Sequence, residues 1–376
     1  MDIRERTAQA VLDQAKFVTA LFDELRVRTG RASGIVRAAY GDGENIAHGI
    51  MAERATALGL EVAHDAAANT YMTLPGRDRT APAVIIGSHL DSVADGGNYD
   101  GAAGVVSGLA AVAAMCAIGH TPAHDITVMG IRAEESVWFS STYFGSKAAL
   151  GIVPTGALDN LRSIETGKTL GEHVAACGGD PAALRAGTRY IDPSRLRAYL
   201  EVHIEQGPAL DAEGLPVGIV TGIRGNRRYP TIQVRGEYNH CGGMPRAHRR
   251  DAVVAASDFV ARLDALWDQW ERAGKDMAFT VGRFNTSAAL HAVTKIAGEV
   301  TLSLDFRSVD AACLADERSR IERLEISDPR WCSPLRPEDV GGPLTGRRVT
   351  ALGRRGKYLI LSAEGERHLI MHLRMT

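Results

Sequence analysis

The chain has 376 residues, enough for two or three domains, and its 45% hydrophobic and 23% charged residues are typical of a globular protein. This composition excludes a disordered chain or a fibrous repeat as the main architecture. The formal net charge of −2 predicts no global attraction to nucleic acid or anionic membranes. The 5 scattered cysteines favour a reducing cytoplasm, and the apolar runs are too short to predict a membrane span.

The first part of the chain alternates helices and strands in the order of an α/β domain. Hydrophobic periodicity predicts helices at 7–28, near 45–58 and at 102–117, and strands at 60–74, 83–88, 126–131 and 198–204. A Gly-rich polar loop precedes the third of these helices. This order predicts functional loops at the ends of the strands.

The pattern of predicted elements changes from about residue 212 onward. Strands are predicted at 217–221, 229–234, 277–281 and 299–306, with helices at 250–271 and 310–323. We therefore expect an α/β domain over 1–211, an inserted α+β domain over 212–324, and a short β-rich tail over 325–376. Tail strands are predicted at 347–352, 357–362 and 367–372. The tail carries a net charge of +3, whereas the residues before it carry −5.

The first candidate site follows the strand at 83–88. His89 comes at the end of that strand and Asp91 follows two residues later. This pattern suits a metal-binding imidazole that a nearby carboxylate orients. Asp100 precedes the next helix, where a carboxylate can bridge two metal ions. A His-x-Asp sequence also occurs in ordinary polar loops, so it does not decide the question alone.

Two further segments place metal-binding side chains after strands. Glu134 and Glu135 are adjacent carboxylates that repel each other unless a cation compensates them. One could bind metal while the other serves as general base for water. His203 closes another apolar strand. An isolated Glu pair or His is usually structural, but all three segments together in one α/β domain predict a metal site.

Several segments occur in a fixed order along the chain: GSHLDSVADGGNYDGAAGV, RAEES, LEVHIEQG, NRRY and NHCGGMP. They resemble the zinc-dependent amidohydrolases of the hydantoinase/carbamoylase family, over about residues 5–324. The resemblance implies a dinuclear-metal, aminopeptidase-like α/β domain with an inserted lid and dimerisation domain. It also implies a metal-dependent hydrolase of amide or ureido C–N bonds, acting as a homodimer. The implied substrate is a small carboxylate-bearing N-carbamoyl-L-amino acid, ureido acid or allantoate.

The resemblance assigns a role to each matching residue. The implied ligands of two divalent ions are His89, Asp100, Glu135 and His203, with Asp100 bridging them. Zinc is the expected metal, and manganese, cobalt or nickel would also fit these ligands. The other implied roles are general base for Glu134, orientation of His89 for Asp91, substrate contact for Gln206, and carboxylate binding for Arg228 and Arg307. His240 would stabilise the oxyanion across a dimer interface.

Two departures from the family pattern leave alternatives open. Thr294 stands where a substrate-binding Asn is expected, which leaves the substrate undecided. The Gly-His-Asp-type loop that supplies the family's last His ligand is not found in the sequence. A truncated, catalytically impaired hydrolase fold is therefore one alternative to an active enzyme.

The tail has a different resemblance. The segments DPRWCSPL, LTGRRVTALGRRGKYLIL and HLIMHLRMT resemble the N-terminal domain of formamidopyrimidine-DNA glycosylases, and Lys357 matches their catalytic lysine. The N-terminal proline nucleophile, helix-two-turn-helix and zinc finger of those enzymes are not found. A DNA-binding module is thus a second alternative. The negative charge of the preceding residues opposes it, since duplex binding depends on neutralising phosphates.

Overall fold

The structure is a computed structural model that describes residues 3–315, positions 343 and 347, and three later strands at 349–355, 358–363 and 367–372. The chain forms two compact units, Met1–Val217 and Gly218–Thr376. The expected division into three domains stays a prediction. Among the described residues, none of the helices combines the length and apolar character that crossing a bilayer requires.

The first unit is a mixed α/β unit. Its helices are α1 (Ile3–Leu12), α2 (Ala15–Thr29), α3 (Asp42–Ala57), α4 (Ala102–Ala117), α5 (Phe144–Ala149), α6 (Ala157–Asn160), α7 (Leu170–Ala176), α8 (Pro181–Arg185) and α9 (Ala209–Ala212), with a 3₁₀ turn at Pro193–Arg195. Its strands are β1 (Glu61–His64), β2 (Thr70–Leu74), β3 (Ala83–His89), β4 (Ile126–Ile131) and β5 (Leu196–Leu200). The predicted helix at 102–117 and strand at 126–131 are confirmed with the expected bounds.

The five strands form one sheet in the order β1-β2-β4-β3-β5. The β1-β2 and β2-β4 pairs are antiparallel, whereas β4, β3 and β5 run parallel to one another. Because neighbouring parallel strands end at the same edge, the loops after these three strands are brought together.

Apolar side chains cover both faces of this sheet. On one face, α2, α3 and α4 pack around Leu25, Met51, Leu109 and Val128. Met129, the next residue of β4, packs in a separate cluster with Ile85, Tyr71, Ile131 and Ala149, as the alternation of a strand requires. Helix α4 lies close to the sheet because it is rich in small residues: a Cβ at Gly108 would lie 3.0 Å from Val128.

The second unit contains a three-stranded antiparallel sheet. Its described elements are β6 (Gly225–Arg235), β7 (Asn239–His240), a 3₁₀ turn at Arg246–His248, α10 (Ala252–Arg272), β8 (Ala278–Thr286), β9 (Lys295–Ile296), β10 (Glu299–Ser308) and α11 (Ala311–Ala315). The sheet order is β6-β10-β8, and β7 pairs with β9 in a separate two-stranded ladder. Alternate residues of β10, Val300, Leu302, Leu304 and Phe306, are buried in clusters that include side chains of α10.

Three strands near the end of the chain form a meander of β11 (Val349–Arg355), β12 (Tyr358–Ala363) and β13 (Arg367–His372). Both neighbouring pairs are antiparallel. The three predicted tail strands are therefore confirmed within a few residues. Lys357, and most of the predicted helix at 310–323, lie outside the described residues.

Four predictions about elements differ from the structure. The predicted strand at 60–74 is two strands, β1 and β2, joined by a turn. The predicted helix at 7–28 is two helices, α1 and α2. The predicted strand at 217–221 is wrong: this segment is irregular, and Ile219 is 94% exposed. The predicted strand at 198–204 ends earlier, since β5 closes at Leu200 and His203 follows it in an irregular segment.

Candidate functional site

The candidate metal-binding side chains converge at the carboxyl edge of the parallel strands. His89 is the last residue of β3, and Glu134 and Glu135 follow β4. His203 follows β5, which pairs with β3 on its other side. The fold thus brings together three segments that are far apart in the sequence.

The first group that could hold a metal ion contains His89, Asp100 and His203, whose ligand atoms lie within 4.8 Å of one another. The Asp100 Oδ1 atom is 3.3 Å from His203 Nε2 and 3.9 Å from His89 Nε2. The same Oδ1 is buried and has no hydrogen-bond partner among the described residues. A buried acceptor without a donor is costly. A cation between these three residues would satisfy it.

The second group contains His89, Glu134 and Glu135, again with ligand atoms within 4.8 Å of one another. His89 is the residue that both groups share, whereas the sequence led us to expect Asp100 in the shared position. Asp100 belongs to the first group alone, so its bridging role stays a prediction. The donor atoms, imidazole nitrogens and carboxylate oxygens, suit zinc, manganese, cobalt or nickel.

Asp91 connects the two groups. Its buried carboxylate accepts hydrogen bonds of 3.0 Å from the backbone N–H groups of both Glu134 and Glu135. The Nδ1 of His89 lies 3.0 Å from the Asp91 carbonyl oxygen and 3.3 Å from its carboxylate. If Nδ1 donates there, Nε2 keeps a free lone pair for a cation. Asp91 therefore contacts both the His89 ring and the backbone of Glu134 and Glu135, and its role in orienting His89 stays a prediction.

The carboxylates around the imidazole shift several pKa values. Burial favours neutral His89, but the Asp91 carboxylate, with Glu134 and Asp100, outweighs burial and raises the pKa of His89 to about 9. Burial also raises the pKa of the Glu134 carboxyl. Burial and the negative charge of Glu134 raise the pKa of Glu135 to about 7. The neighbouring negative charges thus make these side chains hold their protons more tightly. A bound divalent cation would offset this negative charge.

Gly101, directly after Asp100, is a position where only glycine fits. Its φ of +65° is in the left-handed region, and a Cβ there would lie 2.5 Å from the His89 ring. Glycine adopts such a φ without steric cost. Gly101 thus lets the start of α4 approach the imidazole closely enough for Asp100 to reach it.

Sequence reasoning missed a buried ion pair behind the two glutamates. Glu44 on α3 and Arg132 after β4 are 2.8 Å apart, and both are almost completely buried. Glu44 also accepts a 2.9 Å hydrogen bond from the N–H of Ala133, which has a φ of 51°. Three consecutive N–H groups, of residues 133, 134 and 135, are therefore held by buried carboxylates. No sequence pattern signals this, because Glu44 precedes Ala133 by 89 residues.

Gln206 lies at the same edge of the sheet. Its side-chain Nε2 donates a 2.7 Å hydrogen bond to the Asp100 Oδ2. The sequence predicted a substrate contact for Gln206, and the structure shows a contact with a predicted metal ligand. Gln206 also has a φ of 57°, a backbone conformation that is uncommon outside glycine and clusters at functional sites.

His240 and Thr294 lie side by side in the second unit. His240 pairs with Lys295 in the β7-β9 ladder, and the N–H of Cys241 donates to the Thr294 carbonyl. The His240 Nδ1 accepts hydrogen bonds of 3.2 Å from the N–H groups of Gly242 and Gly243. With Nδ1 as the acceptor, the proton of the neutral ring is on Nε2, which becomes a donor.

Arg228 and Arg307 approach one carboxylate. Arg228 lies opposite Asp305 in the β6-β10 register. The Nε atoms of Arg228 and Arg307 are 3.7 Å and 3.0 Å from the Asp305 side chain, and both arginines are about half exposed. Two guanidinium groups share one carboxylate, so the group keeps a net positive charge that suits an anionic ligand.

Curated relatives match most of the chain. It is 33% identical to an N-carbamoyl-L-amino-acid amidohydrolase of Paenarthrobacter aurescens, over 83% of this chain and 73% of that protein. The corresponding enzyme of Geobacillus stearothermophilus is also 33% identical, over 81% of this chain and 76% of that protein. A crystal structure of a hydantoinase/carbamoylase family amidase from Burkholderia ambifaria superposes with a TM-score of 0.69 at 30% identity, over 80% of this chain and 71% of that one.

The chain belongs to the hydantoinase/carbamoylase family of amidohydrolases. This family membership makes it a hydrolase of C–N bonds other than peptide bonds, as the resemblance implied. Its mixed α/β fold is that of the hydantoinase/carbamoylase amidases. Residues 69–167, which carry His89, Asp100 and the two glutamates, match Peptidase family M28. Residues 308–376 match the formamidopyrimidine-DNA glycosylase N-terminal domain.

Proposed function

We propose that this hydantoinase/carbamoylase family member hydrolyses the ureido or amide C–N bond of a small carboxylate-bearing substrate. The candidates are an N-carbamoyl-L-amino acid, a ureido acid or allantoate. The convergence of two His–carboxylate groups on His89 at one edge of the sheet is the observation that carries this proposal. The names of relatives support the substrate class, including an Escherichia coli allantoate amidohydrolase that is 30% identical over 72% of this chain.

The residues present fit a pair of divalent cations. His89, Asp100 and His203 would hold one. Glu135 would hold the other, together with Asp100, the carboxylate that the resemblance assigns to both ions. The orphaned Oδ1 of Asp100 supports this assignment. Zinc is the proposed metal, because imidazole and carboxylate together are its common ligands. Bound cations would polarise the substrate carbonyl and make water a stronger nucleophile.

Glu134 is the proposed general base. Its carboxylate is partly buried, and burial raises its pKa towards the range in which a carboxylate can take a proton from water and give it up again. Asp91 holds the backbone of Glu134 in place through the hydrogen bond to its N–H. A proton removed from water would then pass to the nitrogen that leaves the scissile C–N bond.

Residues of the second unit are the proposed substrate contacts. The Nε2–H of His240 is available to donate to the oxyanion, since its Nδ1 already accepts two backbone N–H groups. Arg228 and Arg307 would bind the substrate carboxylate with their planar guanidinium groups. A structure with 26% identity and a TM-score of 0.65, of a relative in complex with glyoxylate, shows that this relative takes a small carboxylate. A homodimer in which His240 serves the partner's site remains part of the proposal.

A substrate panel tests the proposed function. The zinc-loaded protein would be incubated with an N-carbamoyl-L-amino acid, its D enantiomer, allantoate and a simple N-acetyl amino acid, and ammonia or free amine would be measured. We expect release from at least one ureido substrate, and turnover of the N-acetyl compound would extend the reaction to simple amides. No turnover of the whole panel by metal-loaded protein would contradict the proposal.

The match of residues 308–376 to a glycosylase domain supports a second candidate, DNA binding. The DNA candidate is tested by measuring the binding of a duplex with an abasic site, by fluorescence anisotropy at rising salt concentration. Binding that survives moderate salt and depends on Lys357 would favour the DNA candidate. Weak binding that moderate salt abolishes, with no effect of Lys357→Ala, would exclude it.

A further inference from the structure

Arg37 is a fully buried arginine in the segment between α2 and α3, outside every motif discussed above. Burying a guanidinium is costly unless its donors are satisfied. Its donors reach backbone carbonyl oxygens: Nε lies 2.8 Å from the Leu90 oxygen, Nη2 lies 3.3 Å from the Asp100 oxygen, and Nη1 lies 3.5 Å from the Asn98 oxygen. One side chain therefore contacts both ends of the loop that joins His89 to Asp100.

The backbone of Arg37 is attached to the same loop. Its N–H donates a 3.0 Å hydrogen bond to the Ser92 Oγ, and its carbonyl accepts a 2.9 Å bond from the Ser92 N–H. Ser92 is also buried, and its own carbonyl accepts from the indole N–H of Trp138. The side chain of Arg37 is thus anchored at its base, so its guanidinium has a fixed position relative to the loop.

We propose that Arg37 is a positioning residue for the metal site. By holding the carbonyls of Leu90 and Asp100 together, it fixes the distance between His89 and the Asp100 carboxylate, which must meet at one cation. This inference rests on the proposed metal site. Its physical basis is the fork of the guanidinium, whose several donors bind more than one carbonyl at once.

Removing the guanidinium leaves three carbonyl oxygens without this donor. Relaxation of the loop to satisfy them would move Asp100 away from His89 and His203. Partners that orient metal ligands typically contribute 10- to 100-fold to metal affinity, so we expect a loss of roughly that size. A merely structural role would instead lower stability and leave the metal site of the folded protein unchanged.

The test is a titration of the full chain with cobalt(II) alone, followed by visible absorption, for wild type, Arg37→Met and Arg37→Lys. Tyr71→Phe is the matched control, because it removes a buried 2.9 Å hydrogen bond to Asp65 elsewhere in the same unit. Circular dichroism and thermal unfolding report the fold of each variant. The cobalt spectrum reports the geometry of the ligands independently of enzyme activity.

We expect Arg37→Met to bind cobalt about 10- to 100-fold more weakly than wild type, with a changed band shape. Tyr71→Phe should keep the wild-type affinity and spectrum even where it lowers the melting temperature. Should Arg37→Met not fold, Arg37→Lys decides, since lysine keeps the charge but loses the fork and should still weaken binding. Wild-type cobalt affinity and spectrum in a folded Arg37 variant would overturn the positioning role of Arg37 but leave the proposed metal site standing. If the wild type binds no cobalt, both the proposed metal site and the role of Arg37 are overturned.

Discussion

At the scale of single residues, the adjacent glutamates are expected to have different tasks. Glu134→Gln removes the proposed base but keeps the size of the side chain. We expect kcat to fall by about 10²- to 10⁴-fold, the usual contribution of general base catalysis, with metal content retained. Metal analysis and steady-state kinetics on one preparation check this.

Two controls accompany that variant. Glu135→Gln changes the other member of the second metal group and should lose bound metal as well as activity. Glu53→Gln, an exposed position on α3, should change neither. Full activity in Glu134→Gln would contradict its role as general base. Loss of metal from Glu134→Gln but not from Glu135→Gln would mean that the two roles are exchanged.

The tautomer of His240 gives a second prediction at this scale. His240→Ala removes the Nε2–H donor, and we expect kcat to fall by about 10²- to 10³-fold, the typical cost of one oxyanion donor. His248→Ala, which changes an exposed histidine of the same unit, is the control. A rise in KM without a fall in kcat would show instead that His240 contributes only to substrate binding.

The candidate metal ligands could be singled out from the sequence because they have chemically specific side chains and lie at the ends of apolar strands or in the loops that follow them. Asp91 was predicted to orient His89, but its hydrogen bonds to the backbone of Glu134 and Glu135 were not. Glu44 and Arg37 were missed for the same reason: their partners are mainly backbone groups, which every residue has. A sequence pattern signals side-chain chemistry, whereas these contacts depend on how distant segments fold together.

At the scale of elements, the start of helix α4 links backbone conformation to the metal site. Gly101→Ala places a methyl group against the His89 ring at a φ of +65°. We expect a loss of about 1–3 kcal/mol from the backbone strain and a further loss of about 1–3 kcal/mol from overpacking. Urea unfolding of the metal-free protein measures the sum.

Gly119, just beyond the end of the same helix, provides the matched control. It also has a φ of +65°, but a Cβ there would meet nothing within 4 Å. Gly119→Ala should therefore cost the strain alone and leave metal binding unchanged. Equal destabilisation by the two substitutions would mean that the contact between Gly101 and His89 has no energetic importance.

The elements were predicted well where apolar periodicity coincides with burial. Helix α4 and strand β4 contribute several fully buried side chains, and their bounds match the prediction. The segment at 217–221 is also rich in β-branched residues, yet Val217, Ile219 and Val220 are largely exposed. A strand needs a neighbouring strand as well as a suitable sequence, and the sequence alone does not specify that neighbour.

At the scale of the whole molecule, metal binding should stabilise the fold. A ligand that binds only the native state at a hundred times its Kd adds about 2.7 kcal/mol to the free energy of unfolding. We therefore expect zinc to raise the melting temperature of the chelator-treated protein by several degrees. His203→Ala should reduce this shift, whereas His120→Ala, at an exposed histidine of the same unit, should preserve it. An equal shift in both variants would place the stabilising ion elsewhere.

The family assignment describes most of the chain, and the charge step at residue 325 lies near the start of the segment that matches a glycosylase domain. The body and the tail therefore have different relatives. The first unit, by itself, brings together the two groups of proposed metal ligands. Activity consequently depends first on whether these groups hold metal in this chain.

The most direct test measures metal content and ureido hydrolysis on the same sample, before chelation, after chelation and after zinc is restored. We expect at least one tightly held ion per chain, turnover of a ureido substrate that disappears on chelation, and its recovery with zinc. Fewer than one held ion per chain together with no turnover after zinc is restored would contradict the central claim that this chain is a metal-dependent amidohydrolase.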